Sequence, residues 1–321
     1  MAEIYTITVD GHPNIYNHYA PRKLNIYFSV PDAGVNQDTG ILLLIPGFGG
    51  HSNSNVYKKM RSTFADQYNL VVVQCDYFGW EFMQQELLEE NINNFNDMGI
   101  MQALDNISAI CMVVEIIKDN GYVFNAGKIM AYGHSQGAYL AYLMNAFAPN
   151  LLSHIIDNSA WLFPVYLKSS RFLITNGVRL DFNYLAKQLN PDQELLSLPV
   201  LYKHFKNQCV IHSFHGTNDK LITIQDKKDF CLPLRRCFLH EINNDLIDHK
   251  MFKSDDHGLD ADYLLHFDFV MTQMNLQFKS SKDLTILNHR KETRSNRYIF
   301  NYDHGVPALQ IEPKKVIHNR V

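Results

Sequence analysis

Lys128-Ile129-Met130-Ala131-Tyr132 runs directly into Gly133-His134-Ser135-Gln136-Gly137, which runs into Ala138-Tyr139-Leu140-Ala141-Tyr142-Leu143-Met144. An apolar strand, a G-x-S-x-G turn and a helix follow one another without a break. A strand turning that sharply into a helix holds its middle residue in a strained conformation, so the Ser135 hydroxyl projects above the sheet. Glycine is needed on both sides, because a Cβ there would crowd the neighbouring strand or helix. The pentapeptide alone is a weak signal. Its setting between strand and helix makes Ser135 the leading candidate nucleophile.

Working outward, Ile41-Leu42-Leu43-Leu44-Ile45 is a continuous apolar run stopped by Pro46-Gly47, the pattern of a strand buried on both faces. Leu70–Cys75 reads the same way, and residues 155–157 as a further strand. Ile4–Val9 and Leu24–Val30 alternate apolar and polar residues, as half-buried antiparallel strands do. Helical spacing covers Tyr57–Tyr68 and about Met98–Asn120, the latter ending at Gly121. Strands interleaved with helices predict a mostly parallel sheet with right-handed crossovers, led by an antiparallel pair. Order returns with a strand at 209–214, another at Arg236–Ile242, and a helix over about Asp260–Phe278. Between the strand at 155–157 and that at 209–214, Ser159–Asn207 shows no clear strand and predicts a lid inserted into the domain.

The chain has 321 residues, 46% of them apolar, enough for a large core, and a net charge of −4. That balance argues against nucleic-acid binding. The apolar runs at 41–45 and 70–73 are too short to span a bilayer, and the N-terminus shows no secretory signal. Five cysteines without zinc-ligand spacing predict free thiols in a reducing cytoplasm, with no metal and no cofactor. His212 and His215 lie on one strand with rings expected on opposite faces. From Lys279 onward nine Lys/Arg stand against four Asp/Glu, a basic extension (281–321) that reads as a solvated face, with 298–302 and 309–311 able to form short strands.

A serine hydroxyl needs a base, and the base needs an orienting acid. In folds with this elbow the chain order is Ser, acid, His. Asp219, in His215-Gly216-Thr217-Asn218-Asp219 directly after a buried strand, is the predicted acid. His257, in Ser254-Asp255-Asp256-His257-Gly258, is the predicted base, 38 positions beyond Asp219 and 122 beyond Ser135, with His249 as competitor. An oxyanion hole needs two backbone N–H groups. Gln136 supplies one; the glycine-rich turn Pro46-Gly47-Phe48-Gly49-Gly50 supplies the other, from Phe48 or else Gly49. Tyr77, Trp80, Trp161 and Phe163 are candidate substrate contacts, with Tyr166, Phe172, Phe182, Tyr184, Tyr202 and Phe205 as further aromatics of the insertion. Within 159–207 six Lys/Arg outnumber three Asp/Glu, which favours acidic substrates.

These four segments, in this order over about residues 20–280, resemble the α/β-hydrolase superfamily. The resemblance implies an α/β-hydrolase fold: a mostly parallel eight-stranded sheet flanked by helices, in a domain 1–280 that includes the lid insertion. The chain is also similar to little-characterised bacterial hydrolases associated with surface-glycan modification, which implies an acylated sugar as substrate. The expectation is a serine esterase or deacylase acting on a small-molecule acyl ester. An amidase, peptidase or acyltransferase on the same triad, or a binding protein on a hydrolase scaffold, are the alternatives. The oligomeric state is open.

Overall fold

The computed structural model describes residues 1–83, 89–175, 177–190 and 192–314. The predicted end of the basic extension, 315–321, lies outside the described residues. The backbone of the fold is an eight-stranded sheet in the order β1-β2-β4-β3-β5-β6-β9-β10. Its strands are β1 (Glu3–Asp10), β2 (Lys23–Val30), β3 (Gly40–Ile45), β4 (Leu70–Cys75), β5 (Ile129–His134), β6 (His154–Asn158), β9 (Val210–Gly216) and β10 (Cys237–Ile242). β1 and β2 are antiparallel, β2 meets β4 antiparallel, and every later pairing is parallel.

β3, β4 and β6 are buried along their whole length. That is why β3 reads as an unbroken apolar run and β4 as one broken only by Gln74, while the edge strand β1 alternates; β6 is buried although it carries His154, Asp157 and Asn158. Two apolar layers result, one on each face. Ile41, Leu43, Val71 and Val73 point to one, against α2 (Ile100–Asp119) and α3 (Gln136–Phe147). Leu42, Leu44, Leu70 and Val72 point to the other, against α1 (Asn55–Tyr68) and α8 (Tyr263–Gln273). α2 is long and apolar enough to cross a membrane by composition, yet 83% of its most apolar window is buried within the fold. It is a core helix. α8 starts later than the sequence predicts, where Asp262 caps it through Leu264 N–H and Leu265 N–H, and it ends earlier, at Gln273.

The segment 159–207 departs from expectation. Besides the short helices α4 (Val165–Lys168), α5 (Ala186–Leu189) and α6 (Leu198–Tyr202), it holds a hairpin of β7 (Phe172–Thr175) and β8 (Val178–Asp181). In the sequence, Asn176-Gly177 is the signal that could have found it. The short helix α7 (Ile224–Cys231) follows β9.

The extension also differs from a merely solvated face. It forms an antiparallel sheet of β11 (His289–Glu292), β12 (Asn296–Asn301) and β13 (Ala308–Pro313). Tyr298, Phe300 and Tyr302, alternating along the chain, bury their rings in the same core as α2 and α3. Tyr302 Oη–H donates to the Phe147 carbonyl at 2.6 Å, and Tyr298 Oη–H to Asp192 Oδ2 at 2.8 Å. Arg290, Glu292, Arg297 and Glu312 lie on the outer face, whereas Lys291, paired with Tyr298, lies on the aromatic face and stacks on Phe205.

Candidate active site

β5 ends at His134 and α3 begins at Gln136, leaving Ser135 alone in the turn with φ 53° and ψ −115°. A non-glycine residue in that region is strained, and the surrounding backbone maintains it. Ser135 N–H donates to the Asn158 carbonyl at 2.8 Å, and its own carbonyl accepts from Tyr139 N–H at 3.0 Å. Both glycines are required as predicted. A Cβ on Gly133 would stand 2.4 Å from the Ala138 nitrogen, and one on Gly137 2.1 Å from the Ile45 oxygen.

Ser135 Oγ lies 2.7 Å from His257 Nε2, and His257 Nδ1 lies 2.7 Å from Asp219 Oδ2. A carboxylate at that position fixes the tautomer: Nδ1–H donates to Asp219, and Nε2 is left to accept from the serine hydroxyl. Asp219 is itself held by Leu221 N–H at 2.7 Å and Ile222 N–H at 3.0 Å, both on Oδ1. Burial pushes its carboxyl up, but the hydrogen bond and charge of His257 with the Ile222 N–H outweigh burial and hold it below the ordinary value. Asp219 therefore stays ionised.

The loop bearing His257 is tied at two strand ends. Asn218 N–H and Thr217 Oγ1–H, just past β9, donate to Asp255 at 2.9 and 3.0 Å. Beyond β6, Gly258 N–H donates to Ser159 Oγ at 3.0 Å, and Asn158 Nδ2–H to the Gly258 carbonyl at 3.2 Å. Gly258 has φ 83°, and a Cβ there would meet His134 Nε2 at 2.6 Å. His134 packs beneath His257, its ring 6.3 Å from that of His257 and its Nδ1 3.1 Å from the Tyr263 hydroxyl. Burial, aided by the His257 charge, pushes its pKa down to about 4, so it stays neutral. His249 takes no part in this network.

Opposite Ser135 runs the loop after β3. Gly50 N–H closes a turn onto the Gly47 carbonyl at 2.8 Å, with Gly49 at φ 91°. Gly47 approaches His134 so closely that a Cβ would stand 2.5 Å from its Nδ1. Phe48 thus sits at the first corner of a turn packed against the elbow. Gln136 is the first residue of α3, so its N–H has no intrahelical acceptor. Its side-chain amide donates to Gln102 Oε1 at 2.8 Å, anchoring the elbow to α2.

The other predicted contacts divide. Trp161, Tyr166 and Tyr184 gather round Phe48 at ring separations of 5.9, 4.8 and 6.3 Å. Trp80 stacks near His51, 5.8 Å away, and Tyr77 is buried beside it. Phe163 instead stacks under Lys168 in a cleft of about 760 Å³ between the insertion and α7, which no triad residue lines. Phe172 is exposed, and Tyr202 and Phe205 pack together on the side of Phe230. A second cleft of about 630 Å³ opens on the outer side of His257, lined also by His134 and Tyr263. His212 faces His240 and His215 the Ile222 carbonyl, so these two rings do not converge.

Sequence reasoning did not find the supports. Ser159 and Asn158 hold the base loop from about 100 positions away. Asp157, at the end of β6, pairs with Lys227 Nζ at 2.7 Å, both side chains fully buried. No local pattern marks either contact.

Residues 83–169 match a family model described as a protein of unknown function, DUF2920. No curated protein matches the chain by sequence. Among solved structures it is similar to esterase 2 of Thermogutta terrifontis phosphonylated by sarin, with 16% identity, 85% of this chain and 95% of that chain covered, and a TM-score of 0.53. A Rhizomucor miehei esterase gives 15% identity, coverages of 84% and 82%, and 0.52. Est1E of Butyrivibrio proteoclasticus with ferulic acid bound gives 19%, 79% and 96%, and 0.50. At such identities the likeness speaks to architecture alone, and there it agrees with the strand order and the elbow: this chain has the α/β-hydrolase fold.

Proposed function

We propose that this protein is a serine hydrolase cleaving a carboxylic ester through an acyl-enzyme. The observation that carries the reading is the continuous path from Ser135 Oγ through His257 to Asp219, with both links 2.7 Å long. Ser135 Oγ attacks the ester carbonyl while His257 Nε2 takes its proton. Negative charge develops on the carbonyl oxygen, and the N–H groups of Phe48 and Gln136 stabilise it. The C–O bond to the alcohol then breaks, with His257 returning the proton to the leaving oxygen. Water, activated by the same imidazole, releases the acid. Asp219 holds the ring and stabilises the imidazolium without taking a proton.

The neighbours named as esterases, one of them phosphonylated by sarin, support an ester as the bond cleaved. A small-molecule acyl ester, with an acylated sugar as the specific candidate, is the proposed substrate, and the cytoplasm its proposed place. The test is fluorophosphonate labelling with peptide mapping, beside turnover of p-nitrophenyl esters and of O- and N-acetylated sugars, with Ser135→Ala as control. Labelling at Ser135 and ester turnover lost in the variant support the reading. A folded protein that neither labels nor turns over any ester sinks it, and cleavage confined to amides redirects it to an amidase.

A further inference from the structure

The aromatic cluster round Phe48 contains one cation. Arg171 lies just before β7, where its carbonyl accepts from Phe182 N–H at 2.9 Å, so the backbone at the base of the hairpin is fixed. Its guanidinium stacks between two rings, 4.9 Å from the centroid of Phe48 and 4.9 Å from that of Phe182. Tyr184 faces it with its hydroxyl. Among the described residues Arg171 makes no ion pair, unlike Arg179 eight positions later, which is held by Asp181 at 2.8 Å. The carboxylate in this region, Glu90, already accepts from Asn96 N–H and Leu185 N–H at 2.9 and 2.7 Å. Beside Phe48 the indole N–H of Trp161, a residue 1% exposed, also finds no acceptor among the described residues.

Stacking on two aromatic faces leaves the edge of a guanidinium, with its forked N–H donors, available for an oxyanion. Among the described residues, a half-buried cation, a buried donor without an acceptor, and a nearby carboxylate (Glu90) already held by two backbone N–H groups make a surrounding that favours negative charge on whatever enters. All of them border Phe48, and the turn of Phe48 packs against the elbow of Ser135. Resting on the triad reading above, we infer that Arg171 is a specificity residue: the ester this site turns over carries an oxyanion group, a carboxylate in the simplest case, which Arg171 binds while Ser135 attacks.

The anion could belong to the acyl part or to the alcohol part, so the test has two arms. In the first, mono-4-nitrophenyl succinate is compared with its neutral methyl ester. In the second, 3-acetoxybenzoate is compared with methyl 3-acetoxybenzoate. The readout is the ratio of kcat/KM for the anionic over the neutral member of each pair, in the wild type, Arg171→Gln and Arg171→Lys. A charge-assisted hydrogen bond at a partly buried site predicts a preference of about 10- to 100-fold in one arm. It should be carried by KM, collapse toward 1 in Arg171→Gln and be partly kept in Arg171→Lys. Calorimetric binding of monomethyl succinate and of 3-hydroxybenzoate to wild type and Arg171→Gln runs in parallel and needs no turnover.

Fluorophosphonate labelling of Ser135 with wild-type ratios near 1 in both arms overturns the inference and leaves the hydrolase reading standing. So does a preference that Arg171→Gln leaves unchanged. Should no ester be turned over, the hydrolase reading fails, and the binding measurement decides for Arg171 alone: tighter binding of either acid by the wild type supports an anion site, and equal or absent binding removes it.

Discussion

The peptide N–H of Gly258 donates to Ser159 Oγ at 3.0 Å, which fastens the loop carrying His257 to the residue after β6. The same stretch receives Ser135, through its N–H on the Asn158 carbonyl at 2.8 Å. Ser135 and His257 are thus registered against one short piece of backbone, on which Ser159 itself has φ 57°. Ser159→Ala removes the hydroxyl and leaves Gly258 N–H without its acceptor. Displacing a catalytic group by a fraction of an ångström costs about 10- to 100-fold. Steady-state kinetics on a p-nitrophenyl ester should show that loss in kcat with KM held; a matching rise in KM would mean the residue serves the pocket instead.

Asp219→Asn isolates the role of the acid. An asparagine keeps an oxygen at Oδ1 for Leu221 N–H and Ile222 N–H, so the turn persists. Its amide would face His257 Nδ1, however, and drive the proton to Nε2, where it can no longer accept from Ser135. kcat should drop by about 10⁴-fold, the size seen in the serine-protease precedent. Ser135→Ala should be inactive and fold normally, judged by circular dichroism. An Asp219→Asn protein within tenfold of wild type would remove Asp219 from the mechanism.

Much of this arrangement was legible in the sequence because its causes are local. The elbow needs glycine at 133 and 137 for contacts of 2.4 and 2.1 Å, and nothing larger leaves the same signature. Asp219 and His257 follow in the order the fold demands, each directly after a sheet strand or in a polar loop beside glycine. What stayed hidden depends on distant partners. Tyr298, Phe300 and Tyr302 are buried because α3 and Asp192 lie beneath them, while the basic residues on either side of this stretch suggested solvent. Lys227 carries no local mark of its role, since its partner Asp157 lies 70 positions earlier, on β6. Arg171 owes its place to Phe48, over 120 positions earlier in the chain.

Lys227 and Asp157 make a stability prediction separate from catalysis. Asp157 Oδ2 accepts from Lys227 Nζ at 2.7 Å, Ser213 Oγ–H at 2.7 Å and Tyr142 Oη–H at 2.9 Å, and Oδ1 accepts from Ala160 N–H at 2.7 Å. Burial alone would raise this carboxyl and lower the lysine; their mutual attraction reverses both, so the pair is ionised in the folded state. Lys227→Met leaves a buried charge uncompensated and should cost about 3–5 kcal/mol in urea unfolding. The double variant Lys227→Met with Asp157→Asn removes that charge and should regain part of the loss. If it unfolds no more readily than the wild type while the single variant also does not, the pair contributes nothing.

Buried histidines set the response to acid. Burial pushes His134 and His154 down to about 4 and His266 down to about 3, with neighbouring histidines and, at His154, Arg236 adding to the effect. His266 is enclosed by Phe214 and Phe252, at 4.4 and 5.3 Å, and among the described residues its ring hydrogen-bonds through Nδ1 to the Tyr132 hydroxyl at 3.0 Å. In the unfolded chain a histidine titrates near 6.5. Between that value and about 4 the unfolded state binds the extra protons, so stability is whole above pH 6.5 and is lost as the pH falls through this window. At pH 5 each such residue forfeits about 2 kcal/mol, and three together reach the size of a typical domain's whole stability of ~5–15 kcal/mol. Urea midpoints should therefore fall steeply from pH 7 to pH 5. His266→Phe, which fits the same aromatic enclosure, should flatten that slope by one residue's share; an unchanged slope in this variant would place the acid sensitivity elsewhere.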